Sequence, residues 1–408
     1  MSEGTVRTTA QLGEAAHDPV PAIAGIPAAP NPAALNTAAL NTERARPIAA
    51  AFAPVAWARA NLFSGWISTA VTLALIYLIA RWAIGFFDWG ILHAVWSVPQ
   101  TATGPDASAC REAKGVGACW AMIGDKYRFI LFGRYTYDEQ WRPAVVVALF
   151  IGLYAISAMR RFWRKELLLI WIATLTAIGV LMWGGVFGLE YVPQDSWGGL
   201  PITLILSTFG LALAFPLAVL VALGRRSTQL PAVKAICVLY VELIRGVPLI
   251  TLLFMASVMF PLFMPAGFNP DKLLRAQVAV ILFAGAYLAE VVRGGLQSLP
   301  RGQYEAADAL GLSYWKKTGL IVLPQALRLV IPPLVNTFIG FFKDTSLVLI
   351  IGIFDLLTAG KVAITDPVWQ SYSTELYLVL AAIYFAFCFV MSRYSHGLEQ
   401  EFSRTVRR

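Results

Sequence analysis

Charged side chains are scarce in this sequence. Only 14% of its 408 residues are Asp, Glu, Lys or Arg, against about a quarter in soluble domains, while 58% are hydrophobic. Such a chain has too little polar surface to enclose a soluble core, so an all-α polytopic membrane protein is expected. Histidine is scarcer still. His17, His93 and His396 fall in a tail, a loop and the C-terminus, which leaves no zinc-ligand set and no Ser-His arrangement. No Gly-x-x-x-x-Gly-Lys-Ser/Thr run occurs, so the chain has no loop of that kind for nucleotide phosphates. No nucleophile, metal set or acid/base cluster gathers at one depth, and neither an enzyme nor a cofactor or metal is expected. Of four cysteines, Cys237 and Cys388 lie in apolar runs and read as small core residues, while Cys110 and Cys119 lie outside them. The net charge is +8, but no basic block is interleaved with exposed aromatics, which argues against nucleic acid.

The basic excess has another origin in a polytopic chain, because short basic loops stay on the cytoplasmic side. Residues 1–60 are rich in Ala, Pro, Asn and Thr without apolar periodicity, and read as a disordered cytoplasmic tail rather than a signal peptide. Apolar runs follow at 62–80, 143–159, 167–189, 196–224, about 246–266, about 276–290, 329–357 and 376–392. The first, 19 residues long, is enough to cross a hydrocarbon core of ~30 Å. The basic run RRFWRKE at 160–166 and the pair Arg225-Arg226 then share one side with both termini. The loop 88–142 falls on the other side, its six basic residues matched by six acidic ones. Most tryptophans lie near span ends and read as interfacial anchors in contact with lipid. Gly184 and Gly188 form a Gly-x-x-x-Gly pair of a kind common in membrane helices.

One polar island interrupts the apolar pattern. In EAADALG at 305–311 an Ala-rich helix is followed by Gly311, which can take a left-handed turn. Ser313 can cap a second helix, and Pro324 in IVLP at 321–324 is ill suited to its interior. The spacing Glu305-Ala306-Ala307, three residues, Gly311, nine residues, Ile321, one residue, Leu323-Pro324 resembles the signature of ABC-importer permeases. The runs ELIRGVPL at 242–249, AYLAEVVRGG at 286–295 and KDTSL at 343–347 resemble the polar-amino-acid permeases in particular. That resemblance covers 197–408 as a five-helix permease domain with a coupling loop near 300–324. The three further spans of 61–196, the loop with Cys110 and Cys119, and FGRYTYDEQWRP at 132–143 resemble the longer membrane subunits of general L-amino-acid importers.

The resemblance implies a bacterial inner-membrane subunit that moves L-amino acids, polar and of broad range. It implies separate ABC ATPase subunits that dock on the coupling loop through Glu305, Ala306, Ala307, Gly311, Leu323 and Pro324. It further implies a periplasmic amino-acid-binding protein and a related permease as heterodimer partner. An ion-coupled secondary amino-acid transporter is the alternative, and it would need no coupling loop. An oxidising periplasm would permit a disulfide between Cys110 and Cys119.

The remaining candidates are charges in or near spans. Glu242/Arg245 and Glu290/Arg293 repeat one pattern, and three residues apart on a helix each pair can meet on one face. They read either as salt bridges at the cytoplasmic interface or as part of an inner gate. Gly246 and Pro248 favour a break after the first pair. Lys343 and Asp344 stand about 14 residues into their span, so at ~1.5 Å per residue they lie roughly 20 Å deep. Adjacent residues point about 100° apart, and each of these needs water, another span or a zwitterionic substrate as its partner.

Overall fold

Apolar length sets the architecture. In the computed structural model, which describes residues 54–102, 104–265, 267 and 270–406, seven helices are long and apolar enough to cross a membrane. They are Trp66–Leu92, Tyr137–Ala158, Glu166–Trp183, Gly199–Arg225, Lys272–Ser298, Ile331–Ile351 and Ser373–Gln400. The bent pair Pro231–Arg245 and Leu249–Phe263 makes an eighth. Counting that pair as the fifth, they are called spans one to eight. The chain divides into two units, one ending at Ile84 and one starting at Gly85.

The tail expected over 1–60 lies outside the described residues as far as 53. From Pro54 to Asn61 the chain is helical, and the Ser68 and Thr72 hydroxyls both donate to the Leu62 carbonyl, at 3.0 and 2.9 Å. None of the apolar window of span one is buried.

In the second unit, spans four and six form the centre, with half or more of their apolar windows buried. Span four carries the hydroxyls of Thr203, Ser207 and Thr208 on its buried face. The Ser207 hydroxyl donates back to the Thr203 carbonyl at 2.8 Å, and Thr208 bonds the Tyr154 hydroxyl of span two. These local bonds satisfy groups that would be costly to leave unpaired in an apolar interior.

Three spans depart from the expected ones for local reasons. Span three stops at Trp183, short of 189, because Gly184, Gly185 and Gly188 all take positive φ. The Gly184/Gly188 pair therefore lies in a loop and offers no helix face. Span five breaks at Gly246-Val247-Pro248, and its halves meet at 102°. The amphipathic half Pro231–Arg245 begins at a proline, where the missing N–H costs nothing. Span seven is α-helical over Ile331–Asp344, tightens to a 3-10 helix over Thr345–Ile351, and ends at Gly352 with φ 70°.

The loop 88–142 has structure of its own. Helices Ser108–Glu112 and Ala121–Phe132 and a short hairpin, Gln100–Thr101 with Gly104–Pro105, fold it over the end of the bundle where span four begins. Span four is 27 residues long, so its two ends lie roughly 40 Å apart.

Candidate functional site

The polar island forms a helix, turn and helix as its sequence dictates. Arg301–Ala309 is helical, and Gly311 turns the chain at φ 67°, a conformation in which a Cβ would be strained. The turn is tied by Gly311 N–H to the Asp308 carbonyl at 2.9 Å and by Leu312 N–H to the Ala307 carbonyl at 3.2 Å. The short helix Tyr314–Lys317 follows, then a wide turn over Thr318–Val322 and the helix Leu323–Leu329. Ser313 sits at the N-cap position, but its side chain makes no cap bond. Pro324 occupies the first turn of its helix, where its ring is tolerated. Lys317 closes the loop on Asp308 at 2.6 Å.

The six loop residues divide by exposure. Glu305, Ala306 and Gly311 face outward beside Leu310 and Trp315, the last 71% exposed. Glu305 has no ion pair among the described residues. Pro324 is also exposed, whereas Leu323 packs against the core and Ala307 is 1% exposed. The small side chain at 307 thus serves packing within this chain, while Ala306 keeps the outer face thin.

Beside this loop the charges of three spans converge on Arg225. Its guanidinium donates to Glu290 at 2.7 Å and to Glu242 at 3.0 Å. Arg293 chelates Glu290 through Nε, at 3.1 Å to each oxygen, and through Nη2. Arg245 stands 3.8 Å from the same carboxylate, with its guanidinium 5.3 Å from the centre of the Tyr287 ring. The Glu290/Arg293 pair therefore closes on its own helix turn as its spacing predicts. Glu242 and Arg245 instead pair away from each other, Glu242 with Arg225 of span four and Arg245 with Glu290 of span six. In the sequence Arg225 marks only the sidedness of the chain. Its position at the last turn of a long apolar run was the available signal for this wider role.

Lys343 and Asp344 end the α-helical part of span seven. Neither makes an ion pair or a side-chain hydrogen bond among the described residues, and Asp344 is half-buried while Lys343 is exposed. Phe341 and Phe342 just before them are buried, the former against Phe283 and Tyr287, the latter against Tyr384 and Phe387. A buried acid that sequence reading passed over lies further on. Asp355 caps the helix Leu356–Ala363, accepting from Leu357 N–H at 3.1 Å and Thr358 N–H at 2.9 Å. Burial pushes its carboxyl above the usual range, against the pull of these bonds. The Asp-x-x-Thr order before an apolar run was its sequence signal.

At the other end, the sulfurs of Cys110 and Cys119 are bonded, with Cα atoms 5.5 Å apart. The Cys119 N–H donates to the buried carboxylate of Glu375 at 2.9 Å, on the first turn of span eight. Lys126 bridges Asp366 at 2.9 Å and Asp125 at 3.3 Å, and the Trp369 indole N–H donates to Asp125 at 2.9 Å. The loop 88–142 is thereby clamped to the segment between spans seven and eight. Among the described residues no cluster of His, Cys, Asp and Glu could hold a metal.

Residues 214–404 match the family described as binding-protein-dependent transport system inner membrane component. The chain is 49% identical over 353 residues to the inner membrane amino-acid ABC transporter permease protein YhdY of Escherichia coli K12, covering 85% of this chain and 92% of that one. It is 37% identical to the glutamate/glutamine/aspartate/asparagine transport system permease protein BztC of Rhodobacter capsulatus, covering 86% and 94%. Among solved structures, a crystal structure of an amino acid ABC transporter with histidines aligns with a TM-score of 0.45 at 29% identity, covering 50% of this chain and 92% of that one. With the signature loop and the charged runs in place among seven or eight apolar spans, the chain belongs to the amino-acid ABC transporter permeases.

Proposed function

We propose that this permease subunit imports polar L-amino acids of broad range, with ATP hydrolysed on separate ATPase subunits that grip the loop at 300–324. The observation that carries this reading is the outward-facing edge of that loop. Glu305, Ala306, Leu310 and Trp315 are exposed at a glycine turn, next to a cluster of charges drawn from three spans. An exposed carboxylate at the middle of a short helix, a thin alanine and two large apolar side chains suit a groove on a partner protein.

In this reading the loop 88–142 faces the periplasm, where a binding protein delivers substrate, and both termini are cytoplasmic. Residues 61–196 are the addition and 197–408 the permease domain, which pairs with a related permease subunit. Lys343 and Asp344, one charge of each sign with no ion pair among the described residues, face a zwitterion along the pathway. Tagged protein purified from membranes should bring down a nucleotide-binding subunit. Reconstituted with that subunit and the binding protein, it should take up amino acids only with ATP. Uptake that ignores ATP and collapses with an ion gradient would overturn this reading in favour of ion-coupled transport.

A further inference from the structure

Between the signature helix Arg301–Ala309 and the charge cluster lies a small polar joint. The Tyr304 hydroxyl donates to the Leu296 carbonyl at 2.8 Å. Arg226 donates through one nitrogen to the same carbonyl at 2.7 Å and to the Tyr304 oxygen at 2.8 Å, with its guanidinium 5.2 Å from the ring centre. Leu296 belongs to the last turn of span six, whose carbonyls have no partner further along the helix, so the joint uses a group that is free by geometry. Arg226 directly follows Arg225, which holds Glu242 and Glu290. One backbone step therefore links the joint to the cluster that ties spans four, five and six.

Among the described residues, Tyr304 makes the side-chain hydrogen bonds that join the signature helix to spans four and six. Gln303 bonds Gln325, and Asp308 bonds Lys317, both within the loop and the helix after it. We propose that Tyr304 and Arg226 are positioning residues that carry displacement of the signature helix to the Arg225 cluster, so that movement of the helix shifts Arg225 between its two carboxylates. This rests on the coupling reading above. Phenylalanine at 304 would keep the ring and its packing but lose the hydroxyl. Lysine at 226 would keep the charge but lose the planar guanidinium that lies over the Tyr304 ring.

The test uses the whole transporter in proteoliposomes. Wild-type protein must first bind its ATPase and import, and failure there sinks the proposed function rather than the joint. Given that, Tyr304→Phe and Arg226→Lys should each assemble normally and hydrolyse ATP, while amino acid moved per ATP falls roughly three- to tenfold, the scale of one ordinary intramolecular hydrogen bond. The double variant should lose no more than the worse single one, because both act through one contact. Wild-type stoichiometry in both singles, or losses that multiply in the double, overturns the proposal. So does failure of both variants to assemble, which would mark a contact needed only for folding. If one variant fails to assemble, the other decides by its own stoichiometry.

Discussion

The two ends of span four lie beside networks that are built differently. Where it begins, the loop 88–142 is fixed by a disulfide and by groups that have little room to choose. Cys119 N–H faces the buried Glu375, and the Trp369 indole faces Asp125, each at 2.9 Å. Where it ends, Arg225 is shared between two carboxylates, and Glu290 is shared among three guanidiniums. Glu242, on that network, is 63% exposed. A covalent link with directed backbone bonds has one good arrangement. A set of forked cations around two carboxylates has several of similar energy, since each guanidinium can trade one oxygen for another. The first end is suited to staying put and the second to changing partners.

Four measurements would break or sharpen that contrast. The largest effect is expected from Gly311→Asp. Residue 311 sits at φ 67° with open space around it, so the cost is conformational, about 1 kcal/mol or more, with a charge added at the exposed turn. Spans should insert and the disulfide should form, while uptake per ATP or ATPase binding falls by an order of magnitude or more. Wild-type coupling in reconstituted complex would remove the loop from the mechanism.

Next come Lys343→Met and Asp344→Asn, which lie between the two ends. Each should leave assembly normal and lower uptake several-fold, as measured with labelled amino acid. Unchanged uptake in both would reassign the doublet to structure. Cys110→Ser should act on the clamped end alone. Opening a loop of about ten residues removes roughly 2–3 kcal/mol of local stability, visible as faster hydrogen exchange in Ala121–Phe132. The ATP-to-substrate ratio should not move, and a change in it would mean that the two ends are not independent.

The smallest effect is one of pH on the clamp. The hydrogen bond from Lys126 holds the Asp366 carboxyl below its usual range. A depressed acid contributes stability that is present above its unfolded value and lost as pH falls through the folded one. Burial alone would lower Lys126, but its bonds to Asp366 and Asp125 outweigh that and hold it high. The bridge should therefore stand from about pH 4 to about pH 10. Acid titration of thermal stability should show a step below about pH 4 that Asp366→Asn abolishes. A titration with the same step in that variant would place the acid sensitivity elsewhere.

The spans were legible because long uncharged runs have few other physical uses. The signature loop was legible because an Ala-rich helix, a left-handed glycine and an early proline each act locally. Partnerships across the fold were not. Glu242 and Arg245 have ideal spacing for each other, yet Glu242 meets Arg225 of span four and Arg245 meets Glu290 of span six. Ala307 and Ala306 are identical in sequence terms and face opposite ways. The clamp at Asp366–Glu375 depends on residues 240 or more positions from their partners, a separation at which local pattern carries no signal.

The break in span five also reaches into the lipid. The half that enters the apolar layer, Leu249–Phe263, has about 15 residues and at ~1.5 Å each reaches roughly 22 Å, well short of a ~30 Å hydrocarbon core. Two parts of it are not even α-helical, being a π turn over Met255–Met259 and a 3-10 turn over Phe260–Phe263. Its exposed Phe254, Met259, Phe260, Leu262 and Phe263 still present an apolar flank. A short apolar segment of that kind is expected to meet the bilayer with a mismatch, at a modest cost per ångström. Acyl-chain length thus becomes a load on the Gly246–Pro248 elbow. Since Arg245 sits at that elbow, the thickness of the surrounding membrane bears on the same carboxylate that Arg225 holds.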